Sequence, residues 1–352
     1  MTYRPKFDLD DSAPATADSG IFGVNCPPDE ANIVLIPVPW EATVSYGTGT
    51  AQGPDAMLAA SRQVDLFDIS FGDVYRAGIV MQPLDETLVG WNSLGRERAV
   101  HSFESDSEEE VAESRGKVNE LSDLVNSKVY EGAKALLAEK RLVGVIGGDH
   151  SCPLGLIKAL GEVHPHGFGI LHFDAHFDLR HAYEGFTYSH ASIMYNAIRE
   201  VPQVLKLTQI GIRDFCSEEM RFAEDLKHRS SVFYGRDLFR RKARGERFAD
   251  ITKEIIDGLP NHVYISFDID GLDASYCPST GTPVAGGIGF DEAVYILEEV
   301  VTSGRTIVGF DLCEVAPGKD GDEWDANVGA RILYKLCGAM AQSQRLLEHA
   351  RT

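Results

Sequence analysis

Residues 168–178 read FGILHFDAHFD. The first part, 168–174, is a near-continuous apolar run, which suits a strand buried on both faces better than one with a wet side. From Asp174 the character changes. With a side-chain period of two, Asp174, His176 and Asp178 fall on one side, and Ala175 and Phe177 on the other. Two carboxylates and an imidazole on one face repel and desolvate one another unless a cation lies between them. His172 shares that parity one step deeper and reads as a supporting or core histidine. Open α/β sheets gather ligands at the carboxyl ends of their strands, so this stretch sets both the fold class and the place to look for chemistry.

Outward from it, short β-branched runs alternate with segments of helical periodicity, the pattern of an α/β fold in which helices cover a parallel sheet. Strands are expected at 33–38, 77–81, 142–147, 168–174, 204–212, 231–234, 262–268 and 306–312. Val118, Leu121, Val125, Val129, Ala133 and Leu136 recur at three- and four-residue intervals and predict one long amphipathic helix. Further helices are expected at 54–62, 152–162, 192–200, 217–227, 291–303 and 326–347. The Pro/Asp/Ser-rich residues 1–30 read as an arm over the surface, and no Gly/Pro/Ser-rich linker divides 31–352, which reads as one domain. The acidic run 104–110 reads as a solvated lead-in to a helix.

A chain of 352 residues with 43% hydrophobic and 25% charged residues can bury a sizeable core, which excludes wholesale disorder. Asp and Glu number 54 against 33 Lys and Arg, a formal charge of −21 that repels phosphate backbones and attracts cations. Nucleic acid is therefore not an expected partner. Neither is a membrane, since no apolar segment approaches the ~20 residues a spanning helix needs, and a cytoplasmic location is expected. The six cysteines show no Cys-x-x-Cys spacing and read as reduced thiols.

Two more segments place metal-type ligands after expected strands. Gly147-Gly148-Asp149-His150-Ser151 turns tightly and delivers His150 at a strand tip. In Ser266-Phe267-Asp268-Ile269-Asp270-Gly271-Leu272-Asp273, Asp268 and Asp270 share a face, whereas Asp273 reads as a turn former. His150, Asp174, His176, Asp178, Asp268 and Asp270 are too many ligands for one ordinary ion. Oxygen and nitrogen donors without thiolate favour Mn²⁺ over a structural zinc. A bridged pair of divalent ions is the economical reading: four carboxylates balance four positive charges, and a bridging hydroxide leaves the cluster negative. Such a site attracts a cationic substrate.

These three blocks resemble the signatures of the ureohydrolases, the arginase and agmatinase family. The likeness extends through Ser45-Tyr46-Gly47, Gln209-Ile210-Gly211-Ile212-Arg213-Asp214, Gly281-Thr282-Pro283 and Glu314-Val315. It implies a single three-layer αβα domain with an eight-stranded, mainly parallel sheet, two Mn²⁺ (or Ni²⁺, Co²⁺ or Zn²⁺), and a trimeric or hexameric homo-oligomer. By the same resemblance His150, Asp174, Asp178 and Asp268 would hold one ion, and Asp174, His176, Asp268 and Asp270 the other, with Asp174 and Asp268 bridging. A metal-bridging hydroxide would attack the guanidinium carbon, Asp270 would hydrogen-bond the nucleophile, and Glu314 would orient the guanidinium. His190 matches the family's active-site histidine and would shuttle the proton to the leaving amine.

The resemblance leans to the agmatinase branch, converting agmatine and water to putrescine and urea. Arginases carry an extra acidic residue where this chain aligns Cys216, and Gly281-Thr282-Pro283 looks agmatinase-like. Arg180, His181 and Arg213 leave open a carboxylate-bearing guanidino acid or formiminoglutamate as substrate, and free guanidine also stays open. A non-catalytic regulatory subunit would lack ligands, and none is missing.

Overall fold

The computed structural model describes residues 14–347. The apolar runs form eight strands: β1 (Ile33–Val38), β2 (Ile79–Met81), β3 (Leu142–Gly147), β4 (Phe168–Phe173), β5 (Val204–Ile210), β6 (Ser230–Phe233), β7 (His262–Asp268) and β8 (Thr306–Cys313). They pair in the order β2-β1-β3-β8-β7-β4-β5-β6, every neighbour parallel. Every residue of β1, β3 and β4 is buried, because each strand feeds two hydrophobic layers at once. Leu142, Ile146, Leu171 and Phe173 pack into one layer with helices Phe290–Thr302 and Trp324–Ser343. Val143, Val145 and Ile170 pack into the other with helices Glu108–Ala138 and Leu154–Val163. The result is an αβα sandwich whose strands carry no wet face at the centre.

Several expected elements shift. The strand expected at 77–81 starts only at Ile79, because Val74–Ala77 closes a 3-10 turn that ends on Gly78 at φ +69°. The strand expected to reach 212 stops at Ile210, where Gly211 adopts φ +95° and turns the chain. Helices Glu86–Glu104, Gly235–Ala243 and Phe248–Asp257 have no counterpart in the expected set. The first buries mostly small residues, and a Cβ on its Gly95 would lie 2.8 Å from the Trp40 ring, so it leaves little apolar periodicity to read. The acidic run 104–110 does lead into a helix: Ser107 caps it, and Glu108, Glu109 and Glu110 fill its first turn, where negative charge suits the helix dipole.

Residues 1–13 of the expected arm lie outside the described residues. Residues 14–30 do more than cross the surface: the turn Ile21–Gly23 inserts Ile21 and Phe22 into the core, and Phe22 meets the Tyr334 ring edge-on at 4.7 Å. Two large apolar side chains in sequence need such burial, and the polar composition around them conceals it. Among the described residues no helix is long and apolar enough to cross a membrane.

The sheet order brings β3, β8, β7 and β4 side by side at its centre. Their carboxyl ends lead respectively into the segments that carry His150, Glu314, the Asp268–Asp270 pair and the Asp174–Asp178 group. Segments far apart in sequence thus open onto one crevice.

Candidate metal centre and catalytic pocket

After β3 the chain turns so closely past Trp40 that a Cβ on Gly148 would sit 2.1 Å from the Trp40 carbonyl oxygen. Glycine is required there. The turn plants His150, whose backbone N–H donates to Glu314 Oε1 at 2.9 Å. His150 Nδ1 lies 3.2 Å from Asp174 Oδ2, 3.1 Å from Asp178 Oδ2 and 3.3 Å from Asp268 Oδ2. Its other nitrogen, Nε2, lies 2.9 Å from Ser266 Oγ and 3.4 Å from Asp311 Oδ1. A second group adjoins the first: His176 Nδ1 is 3.3 Å from Asp174 Oδ1 and 3.1 Å from Asp270 Oδ2. Asp174 stands between the two groups with one oxygen in each.

The alternation argument for these residues holds only as far as Phe173, where β4 ends. Turn geometry assembles the rest. His176 N–H donates back to Asp174 Oδ1 at 2.5 Å, Ala175 N–H donates to Asp270 Oδ1 at 3.0 Å, and Asp178 sits at φ +55°, a left-handed conformation Asp tolerates. Likewise Asp268 closes a 3-10 turn by accepting from Asp270 N–H at 2.8 Å. All six expected ligands converge. Asp273 accepts from Ser275 N–H and Oγ–H and makes the turn foreseen for it.

The electrostatics test whether these residues suit cations. Burial disfavours protonated His150, but Asp174, Asp178, Asp268 and Asp311 outweigh it and hold its pKa well above the usual range. Burial likewise opposes protonated His176, and Asp270 and Asp174 lift it to about 12. Asp178 is raised to about 7 by burial and by Asp174; Asp268 is pushed well up by burial and by Asp270 and Asp174. The carboxylates are thus too crowded to ionise together at low cost, and two imidazolium ions supply the positive charge. Oxygen and imidazole donors in this arrangement fit a pair of hard-to-borderline divalent cations such as Mn²⁺.

His172 also falls within reach of the first group, and Gln209 holds its ring from the far side. Gln209 Nε2, which also donates to the Phe177 carbonyl, donates to His172 Nδ1 at 3.0 Å. Its Nε2 stands 2.8 Å from Asp174 Oδ2 without making a hydrogen bond to it.

Divalent metal should therefore stabilise the fold, by about 2.7 kcal/mol at a free concentration a hundredfold above Kd. Because the cations displace protons from His150 and His176, that gain should grow as pH rises. Thermal melts over a MnCl₂ titration at several pH values, with EDTA reversal, check both; a melting temperature indifferent to Mn²⁺ would refute the fit.

Glu314 follows β8 at φ +64° and is buried. Its Oε1 serves His150, while Oε2 has no hydrogen-bond partner and faces Gly281, where a Cβ would approach to 2.7 Å. Burial, then Asp149, pushes its pKa well up. A buried, half-satisfied carboxylate of this kind favours a cationic guest. His190 is held by Thr43: Thr43 Oγ1 donates to Asp149 Oδ2 at 2.9 Å and accepts from His190 N–H at 3.1 Å, with His190 Nδ1 at 3.2 Å. Since the hydroxyl proton goes to Asp149, His190 carries its own proton on Nδ1 and keeps the Nε2 lone pair free. Burial and the charges on His176 and His150 lower its pKa to about 4. His176, Asp178 and His190 line a cavity of about 380 Å³ whose rim includes Tyr46, Phe215 and Pro283.

Of the two arginines expected to contact substrate, Arg213 is engaged elsewhere. Arg213 donates through Nη2 to the carbonyls of Asp270, Leu272 and Val284 at 2.6, 3.1 and 3.0 Å, and so fastens the backbone beneath the site. Arg180 lines the cavity but pairs with Glu219 at 3.6 Å and stacks over Tyr183. His181 is exposed beside Tyr195 and does not line the cavity. Sequence reasoning gave no role to Asp149, Ser266, Gln209 and Asp311. Asp149 lay within a quoted block, but its tie to His190 runs through Thr43 and is invisible along the chain.

Residues 31–338 match the model of the arginase family. The N(1)-aminopropylagmatine ureohydrolase of Thermus thermophilus is 32% identical over 90% of this chain and 94% of its own. An agmatinase of Neisseria meningitidis is 31% identical over 87% of this chain and 86% of its own. In fold, the agmatine ureohydrolase of Thermoplasma volcanium superposes with a TM-score of 0.70 at 24% identity, covering 95% and 97% of the two chains. With its metal-binding His/Asp cluster at the centre of the shared sheet, the chain belongs to the arginase family and is a ureohydrolase.

Proposed function

We propose that this chain is a binuclear manganese hydrolase of the agmatinase type, cleaving the guanidino C–N bond of a cationic alkylguanidine to give urea and an amine. His150, Asp174, Asp178 and Asp268 would hold one ion, and Asp174, His176, Asp268 and Asp270 the other. When bound, the two cations lower the pKa of water toward about 7 and so supply a nucleophile at neutral pH. Asp270 accepts a hydrogen bond from that nucleophile and aligns it. Glu314 Oε2 pairs with the guanidinium and turns its carbon toward the centre. His190 Nε2, unprotonated at rest, accepts a proton released by the attacking water and passes it to the departing amine.

The observation that carries the substrate class is the engagement of Arg180 by Glu219 and of Arg213 by backbone carbonyls. Arg213 is not free for a substrate carboxylate and Arg180 is drawn toward Glu219, which favours agmatine and its N-aminopropyl relative over arginine, guanidino acids and formiminoglutamate. Incubating the Mn²⁺-loaded protein with agmatine, N(1)-aminopropylagmatine, arginine, guanidinobutyrate, guanidine and formiminoglutamate, and assaying urea, ammonia and formamide, tests this. Preference for a carboxylate-bearing compound would overturn it.

His190→Asn should lower kcat by about 10²-fold, within the range for losing a positioned proton carrier, with metal content unchanged. Stopped-time urea assays beside elemental analysis check it. The family resemblance also supports a trimeric or hexameric homo-oligomer, which sedimentation velocity would test.

A further inference from the structure

Asp311 lies on β8 opposite Ser266 of β7 in the sheet register, and no solvent reaches it. Its Oδ1 accepts from Phe267 N–H at 3.2 Å and stands 3.4 Å from His150 Nε2; its Oδ2 has no hydrogen-bond partner. His150 is the cationic partner in reach, and the flanking Tyr264 hydroxyl and Cys313 thiol are neutral groups. A buried carboxylate so thinly compensated is costly to keep. Its placement, behind the imidazole and away from the cavity, suggests what it does.

His150 Nε2 has two neighbours, and they act differently. Ser266 Oγ, at 2.9 Å, can donate or accept and so satisfies either imidazole tautomer. An ionised carboxylate can only accept, so it selects the tautomer with the proton on Nε2. That tautomer leaves the Nδ1 lone pair facing Asp174, Asp178 and Asp268, all within 3.3 Å. The opposite tautomer would aim an N–H into the space where a cation must sit.

We propose that Asp311 is a positioning residue for the metal centre: it fixes His150 as the Nε2–H tautomer and strengthens Nδ1 as a donor to the cation held by Asp174, Asp178 and Asp268. The inference rests on the assignment of His150 as a ligand. In this role the influence of Asp311 passes through the ring to the opposite nitrogen.

The test measures Mn²⁺ stoichiometry and affinity by competition titration for the wild type, Asp311→Asn and Ser266→Ala, with urea melts of each metal-free protein alongside. Asp311→Asn is expected to weaken one of the two sites 10- to 100-fold, the usual effect of losing a partner behind a ligand, without lowering metal-free stability. Ser266→Ala is expected to weaken it less. Unchanged affinity in Asp311→Asn, or a loss matched by a loss of metal-free stability, would overturn the inference. Nitrogen NMR of the wild type loaded with diamagnetic Zn²⁺ decides the matter even should the variant not fold: a proton on His150 Nε2 supports it, and one on Nδ1 overturns it. A wild type that binds no Mn²⁺ would instead overturn the metal assignment itself, and this inference with it.

Discussion

Asp268→Asn is expected to abolish retention of both cations and to lower turnover on the order of 10⁴-fold, about 5 kcal/mol of transition-state stabilisation. Asp268 reaches His150 with Oδ2 while Oδ1 caps the turn that carries Asp270, so one side chain supports both groups. Asparagine keeps the capping oxygen and removes the charge. The same variant should be at least as stable as the wild type in EDTA, a result that simple misfolding would not give. The sign follows from linkage. An acid whose pKa is raised by folding favours the folded state when protonated, and costs stability as pH climbs above its unfolded value, here 3.8. Asparagine removes that cost, so the advantage of the metal-free variant should open as pH rises through the acid range and persist at neutrality. Metal analysis, urea release and urea melts in EDTA read the three parts separately. A variant that keeps two Mn²⁺ would remove Asp268 from the bridging position.

Glu314→Gln should lower kcat/KM on the order of 10³-fold, about 4 kcal/mol, the scale for losing one member of a buried charge pair. Gln can present an oxygen to the His150 N–H as Glu314 Oε1 does, so metal content should not change. The loss should appear for every guanidinium substrate, because the interaction is with the group common to them. Steady-state kinetics on agmatine and guanidine, with elemental analysis, distinguish this from damage to the metal centre. Activity within threefold of wild type would mean that the empty Oε2 does not receive the guanidinium.

The fold class was legible because β4 and its neighbours are buried on both faces and cannot hide their apolar runs. The convergence of six metal-type side chains was legible because charged residues at strand ends have few structural uses in such number. Other features depend on contacts the chain order does not record. Helix Glu86–Glu104 packs through small residues and shows little periodicity. Arg213 looked available because its neighbours in sequence place it beside the site, whereas the carbonyls that bind it come from segments beginning at Asp270. Asp311 meets His150 only because β8 lies next to β7 and beside β3, a pairing that sheet topology decides. Supporting residues are found this way, through register.

The position of β8 also constrains how the molecule comes into being. This strand is the last of the eight to leave the ribosome, yet it slots between β3 and β7 at the middle of the sheet. Until it arrives, the nascent polypeptide presents two unzipped apolar margins, and neither Glu314 nor Asp311 exists to brace His150. Assembly of the complete His/Asp cluster must therefore follow synthesis of β8, and such distant pairing folds slowly.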